Sequence, residues 1–240
     1  MKARTILLGA AVIFSALAHA NPPADWIKAP GARAELVDEP VFGGRVALYR
    51  AGPADAEAIV LVHGLGTPAA RDWGLVIPAL ARRYQVIALD LPGFGNSSKG
   101  NHYYTPDSLA HALDAVLKEP ARFTLVGHSM GAGVAIAYAA AHPGRVSHLV
   151  LVDAAGVLHR SVYIEYLAIK GLEQALGKDS WMFPALSRAI HRRAESWPDD
   201  DALAIERAGV RRRLLGGEPA AIAAVSMTGW DFSQELRAIR

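Results

Sequence analysis

There is no cysteine among the 240 residues. That excludes thiol catalysis, disulfide cross-links and Cys-ligated metals, so the hydrophobic core alone has to hold the fold. Metal catalysis through histidine lacks its pattern as well, since no H-E-x-x-H or comparable ligand spacing occurs. Nor is there an excess of charge. The chain carries 25 basic and 23 acidic residues, and Lys2 and Arg4 at its start account for the difference. The remainder is neutral and offers no electrostatic footprint for nucleic acid or for an anionic membrane surface. Internal repeats and low-complexity segments are absent too.

What is present begins with a leader-like segment. Lys2 and Arg4 precede a short apolar stretch, Ile6 to Leu17, which ends in Ala18-His19-Ala20. This is the layout of a secretory signal peptide with a small-x-small cleavage site before Asn21, and the stretch is short for a bilayer span of roughly 20 residues. The expectation is an exported protein, periplasmic or secreted, that keeps no membrane span. The rest of the chain is long enough for one domain with a sizeable core.

Four apolar runs punctuate the next part: Ile59–Val62, Val86–Leu89, Phe123–Val126 and Leu149–Val152. None alternates with polar residues, so each is predicted to be a parallel strand buried on both faces, with a crossover helix between successive strands. Thr105 and Pro106 open one such helix, with Leu109, Leu113, Val116 and Leu117 on its inner face. Residues 33–50 read as a hairpin turning at Gly43-Gly44. The predicted fold class is α/β, a mostly parallel sheet with helices on both faces. After Gly156 the periodicity becomes helical, with Tyr163, Tyr166, Trp181, Phe183, Trp197 and Trp230 along it. The predicted organisation is residues 1–20 as leader, 21–156 as the sheet core and 157–239 as a helical cap leading back toward the core. Arg192-Arg193, Arg211-Arg212-Arg213 and Asp199-Asp200-Asp201 read as solvated helix faces.

Gly127-His128-Ser129-Met130-Gly131 fits the G-x-S-x-G nucleophile elbow, directly after the third parallel run and directly before a helical stretch. A serine on so sharp a turn excludes side chains two residues away on either side, which explains the glycines. His63-Gly64-Leu65-Gly66 comes directly after the first parallel run. Acyl transfer needs donors for a developing oxyanion, and the backbone N–H groups of Leu65 and Met130 are the candidates. His63 reads as a structural residue beneath that loop.

Together with Asp90-Leu91-Pro92-Gly93-Phe94-Gly95-Asn96-Ser97 and Leu151-Val152-Asp153, these motifs resemble the α/β-hydrolase superfamily, in the branch with a helical cap after the sixth strand of its sheet. The similarity runs over about residues 33–240. It implies a serine hydrolase of the carboxylesterase or lipase type, without a cofactor, with Ser129 as nucleophile and an acid and a histidine base later in the chain. Serine at the elbow separates the chain from haloalkane dehalogenases and epoxide hydrolases, which place an aspartate there. In the family the acid usually follows the seventh strand and the histidine the eighth, and the sequence reaches Arg240 where relatives enter the seventh. His142, His148, His159 and His191 come after Ser129, but none is preceded by two further strands. Asp153 is a candidate acid, with a structural loop role favoured. The expectation is therefore a fragment whose coding sequence continues.

Two other readings remain open. Gly64-Leu65-Gly66-Thr67-Pro68-Ala69 matches the dinucleotide fingerprint, with Asp90 ending the next strand, although Pro68 stands where the phosphate-binding helix would begin. A hydrolase-like scaffold that binds a ligand without turning it over is the other. The substrate class expected from the cap is an ester with an apolar acyl or aryl group.

Overall fold

The computed structural model describes residues 21–155, 168–169, 172–173, 175–177, 179–194, 207–228 and 230–239. The expected leader, Tyr163, Tyr166, Trp197, His159 and Asp199–Asp201 lie outside the described residues, as do the side chains of Arg192 and Arg193.

Every apolar run becomes a strand. The hairpin supplies β1 (Arg33–Glu39) and β2 (Gly44–Ala51), and the runs supply β3 (Ala58–Val62), β4 (Gln85–Asp90), β5 (Phe123–His128) and β6 (Val146–Val152). They form one six-stranded sheet in the order β1-β2-β4-β3-β5-β6. β1 and β2 pair antiparallel, as do β2 and β4, and the remaining pairs are parallel. This α/β sheet puts the C-terminal ends of β3, β4, β5 and β6 side by side, where open α/β sheets place their sites.

Helices cover both faces. The β3–β4 connection holds the short helices α1 (Ala69–Trp73) and α2 (Ile77–Leu80), while α3 (Pro106–Val116) and α4 (Met130–Ala141) make the next two crossovers. The period of two along each central strand splits the core in two. Val60, Val62, Ile87 and Leu89 face Leu109, Leu113, Val134 and Tyr138 from α3 and α4. Ile59, Leu61, Val86 and Ala88 face Ile27, Trp73 and Ile77 on the other side. α3 starts with a reciprocal cap: Ser108 N–H donates to Thr105 Oγ1 at 3.1 Å and Thr105 N–H to Ser108 Oγ at 2.9 Å.

β5 and β6 depart from the expectation of burial on both faces. β5 alternates buried and half-buried residues. On β6, Leu149 and Leu151 pack on the core, whereas Val150 and Val152 remain 44% and 40% exposed. Among the described residues β6 ends the sheet and pairs only with β5, and none of them covers its second face. A short apolar run cannot distinguish that half-covered position from a central one.

The helical segment is also more divided than its sequence suggests. It contains α5 (Phe183–Ala194), α6 (Ala208–Leu215), α7 (Pro219–Thr228) and α8 (Ser233–Ala238), with no strand among the described residues. Ile222, Met227 and Phe232 belong to the main core, and Met227 and Phe232 close over Gly133 of α4. Residues 219–239 thus pack on the sheet core. Trp230 packs there as well, Phe183 is half-buried and Trp181 is 88% exposed. Arg211 corrects the reading of solvated arginines. It is buried, donates to the Asn101 carbonyl at 3.1 Å and lies over the Tyr103 ring, while Arg212 and Arg213 are exposed.

Candidate active site

Ser129 stands between β5 and α4 with φ 51° and ψ −115°, a region that non-glycine residues rarely enter. Such a conformation costs about 1–3 kcal/mol and persists only where the surroundings over-determine it. Here they do. Ser129 N–H donates to the Val152 carbonyl at 2.9 Å, and its own carbonyl accepts from Ala132 N–H at 3.0 Å and Ala155 N–H at 3.1 Å. The turn leaves no room beside it: a Cβ on Gly127 would overlap the backbone of Gly131 and Ala132, and one on Gly131 the carbonyls of Val62 and His63. The serine hydroxyl does not cap α4, and Oγ has no hydrogen-bond partner among the described residues. Ser129 is half-exposed.

The loop after β3 is oriented by its own side chains. His63 is fully buried, and its Nε2 accepts from Leu91 N–H at 2.9 Å. The proton is therefore on Nδ1, which donates to the Gly64 carbonyl at 2.7 Å. Burial holds this imidazole below the usual histidine range, against the opposing pull of the Gly64 bond. With both ring nitrogens engaged, His63 has no capacity left to serve as a base. Thr67 Oγ1 donates to the same carbonyl at 3.1 Å. A trans peptide points C=O and N–H in opposite directions, so anchoring the Gly64 carbonyl turns Leu65 N–H the other way. Leu65 N–H has no acceptor among the described residues. Met130 opens α4 and carries one of the N–H groups that a helix start leaves unpaired. Ser129 N–H is already spent on Val152, whereas Leu65 and Met130 N–H have no acceptor among the described residues.

Two acids stand out in the sequence. Asp90, at the end of β4, accepts from Tyr49 Oη at 2.8 Å, Ala69 N–H at 2.7 Å and Asn96 N–H at 2.8 Å, and it is 1% exposed. Ser97 donates to the Asp90 carbonyl and accepts from Ala47 N–H at 2.9 Å, which locks the loop after β4 to β2. An acid so enclosed is not available to a ribose hydroxyl, so the dinucleotide reading finds no support in the geometry. Asp153 directly follows β6 with φ 47° and is exposed. Its loop is tied to Ser129 through Val152 and Ala155, yet its carboxylate contacts no histidine among the described residues.

The other histidines lie elsewhere. His142 caps the far end of α4, a 12-residue helix that is about 18 Å long at 1.5 Å per residue, and its ring lies against Tyr138. His148 is exposed in the middle of β6, and His191 is exposed on α5. The pairing that sequence reasoning missed is the one His128 makes: its Nδ1 donates to Asp72 Oδ2 at 2.8 Å. Asp72 lies 56 residues earlier and belongs to no motif, so nothing in the local pattern marks it.

The strained serine, its glycine neighbours and the oriented loop on a mixed six-stranded sheet define a fold class. The alpha/beta hydrolase fold family matches residues 57–191, more than half of the chain, and the chain belongs to it. An uncharacterized protein of Mycobacterium tuberculosis is 40% identical over 119 residues, covering 49% of this chain and 34% of that protein. The 2-hydroxymuconate semialdehyde hydrolase of a Pseudomonas species is 42% identical over 106 residues, covering 41% of this chain and 37% of the enzyme. Among solved structures, Cfl2 from Burkholderia cenocepacia superposes with a TM-score of 0.57 at 26% identity, covering 87% of this chain and 75% of that one. The matches thus span 34% and 37% of the two curated relatives' length.

Proposed function

We propose that the protein is an exported serine hydrolase that cleaves carboxylic esters through an acyl-enzyme on Ser129. The observation that carries the reading is the backbone of Ser129 at φ 51° and ψ −115°, with its hydroxyl uncommitted. Strain of this kind is kept where a nucleophile has to project from the sheet. In the first step Oγ attacks the ester carbonyl carbon, the Oγ proton passes to a base, and Leu65 and Met130 N–H hold the oxyanion. The alkoxide leaves with a proton and the acyl group stays on Oγ. Water then reverses the sequence and releases the acid. No described residue hydrogen-bonds Oγ, so nucleophile and oxyanion loop support the proposal rather than an assembled triad.

No metal or cofactor enters this chemistry. The proposed substrate is a small apolar ester selected beside Trp181 and Phe183, and nucleic acid is not a partner. Relatives named as hydrolases of 2-hydroxymuconate semialdehyde and of an aminophenyl oxo-hexadienoic acid favour a second substrate reading, an oxo acid in place of an ester. Turnover of p-nitrophenyl acetate, butyrate and decanoate by the full chain, alongside a 2-hydroxy-6-oxo-dienoate, separates the two. A p-nitrophenol burst equal to the enzyme concentration is expected, abolished in Ser129→Ala. Undiminished ester turnover in that variant overturns the assignment, and turnover of the oxo acid alone moves it to the second reading.

A further inference from the structure

Asp72 lies on α1 with its side chain only 8% exposed. One of its oxygens, Oδ2, accepts two hydrogen bonds, from Gly64 N–H at 2.7 Å and from His128 Nδ1 at 2.8 Å. Gly64 directly precedes Leu65, a proposed oxyanion donor, and His128 directly precedes Ser129. A single carboxylate oxygen therefore bridges the residue before the donor and the residue before the nucleophile. The two segments also touch. A Cβ on Gly64 would lie 2.9 Å from His128 Nδ1 and 3.3 Å from Ser129 Cβ, so the loop has no slack toward the elbow. His63 and Thr67 hold the other side of the same loop through the Gly64 carbonyl.

We infer that Asp72 is a positioning residue that sets the reach from Leu65 N–H to the oxyanion on Ser129, by tying the loop after β3 to the end of β5. The bond geometry supplies the reason. Asp72 fixes the peptide plane before Gly64 and His63 fixes the plane after it, so both dihedrals of Gly64 are constrained and the direction of Leu65 N–H is set with them. Gly64 is otherwise the most pliable residue available at this point. The carboxylate is ionised in this setting: against the desolvation that opposes it, the bonds from Gly64 and His128 hold its pKa below the usual range. As an acceptor only, it assigns the His128 proton to Nδ1.

The inference rests on Ser129 being the nucleophile, and its test uses the full chain with Asp72→Ala and Asp72→Asn. Asparagine with its oxygen in the place of Asp72 Oδ2 can still accept from both Gly64 N–H and His128 Nδ1, without the charge, whereas alanine keeps neither bond. A misplacement of about 1 Å in a reacting geometry costs on the order of 100-fold. Well below the melting temperature, Asp72→Ala should react with a fluorophosphonate at Ser129 about 100-fold more slowly, and Asp72→Asn less than 10-fold more slowly. Ester kcat should fall with KM within about threefold, as for an interaction made only in the transition state. A purely structural role would lower the melting temperature and leave the labelling rate of the folded protein unchanged, which overturns the inference. Amide exchange at Gly64 tests the tie between the loop and Asp72 without any activity. It should quicken in Asp72→Ala, and unchanged exchange also overturns the inference. Failure of the wild-type chain to label would sink the hydrolase reading, leaving the exchange result to decide the positioning.

Discussion

Asp90 ends β4 and Asp153 follows β6, two parallel strands of one sheet with β3 and β5 between them, at the same end of the sheet, and their surroundings differ in every respect. Asp90 is buried, with three donors on its carboxylate, and it sits against a phenol whose pKa burial and the Asp90 charge raise, against the opposing Asn96 bond. Asp153 is exposed and held at φ 47° by backbone bonds on either side. The first acid is fully consumed in holding a loop. The second has its loop fixed, and its carboxylate has no hydrogen-bond partner among the described residues. An acidic residue at a strand end is thus structural or available according to how many donors reach it, and residue type alone does not separate the cases. The two histidines near Ser129 repeat the contrast: His63 has both nitrogens engaged, while among the described residues His128 is engaged through Nδ1 only.

Breaking the enclosed side should cost most. Asp90→Ala leaves Tyr49 Oη, Ala69 N–H and Asn96 N–H without their acceptor, and the expected loss is about 3–4 kcal/mol in a urea titration. A loss below about 1 kcal/mol would mean that water replaces the carboxylate, and that the two acids are more alike than their burial suggests.

His63 gives the next effect, through pH. Its pKa is lowered in the folded protein, so between that value and about 6.5 the unfolded chain binds the proton that the native state refuses. Its contribution is fully present above pH 6.5 or so and is lost as pH falls below it, at up to about 1.4 kcal/mol per pH unit. Unfolding titrations of wild type and His63→Gln at pH 7, 6 and 5 should show a steeper decline in the wild type. Parallel curves would place the ring in contact with water.

Smaller still is the cap of α3, where Thr105→Ala should cost about 1 kcal/mol in the same titration. At the bottom of the scale stands Asp153→Asn, which should change stability by less than about 0.5 kcal/mol. Ester turnover should stay within about fivefold of wild type, in keeping with a loop role. A loss on the order of 10⁴-fold, as orienting acids give, would make Asp153 the acid of a triad and sharpen the contrast with Asp90.

The central strands were legible because β3 and β4 are covered on both faces, so their apolar residues run without interruption. The elbow was legible because its glycines answer to a local steric need. β6 was not legible because Leu149–Val152 is as apolar as β3, although the described residues cover only one of its faces. Arg211 sits in a run of three arginines that looks solvated, and only the approach of Asn101 and Tyr103, more than a hundred residues away, buries it. The same holds for Asp72. Contacts across 56 residues leave no periodicity, and the clamp on the oxyanion loop emerges only once β3 and β5 lie side by side.

The most direct test of Ser129 as nucleophile is the site of covalent capture. The full chain is treated with a fluorophosphonate, digested, and mapped by mass spectrometry, with Ser129→Ala in parallel. The expected result is one adduct, on the peptide that contains Ser129, and none in the variant. An adduct on another residue, or labelling that survives the loss of Ser129, would contradict the claim that the strained serine at the end of β5 is the nucleophile.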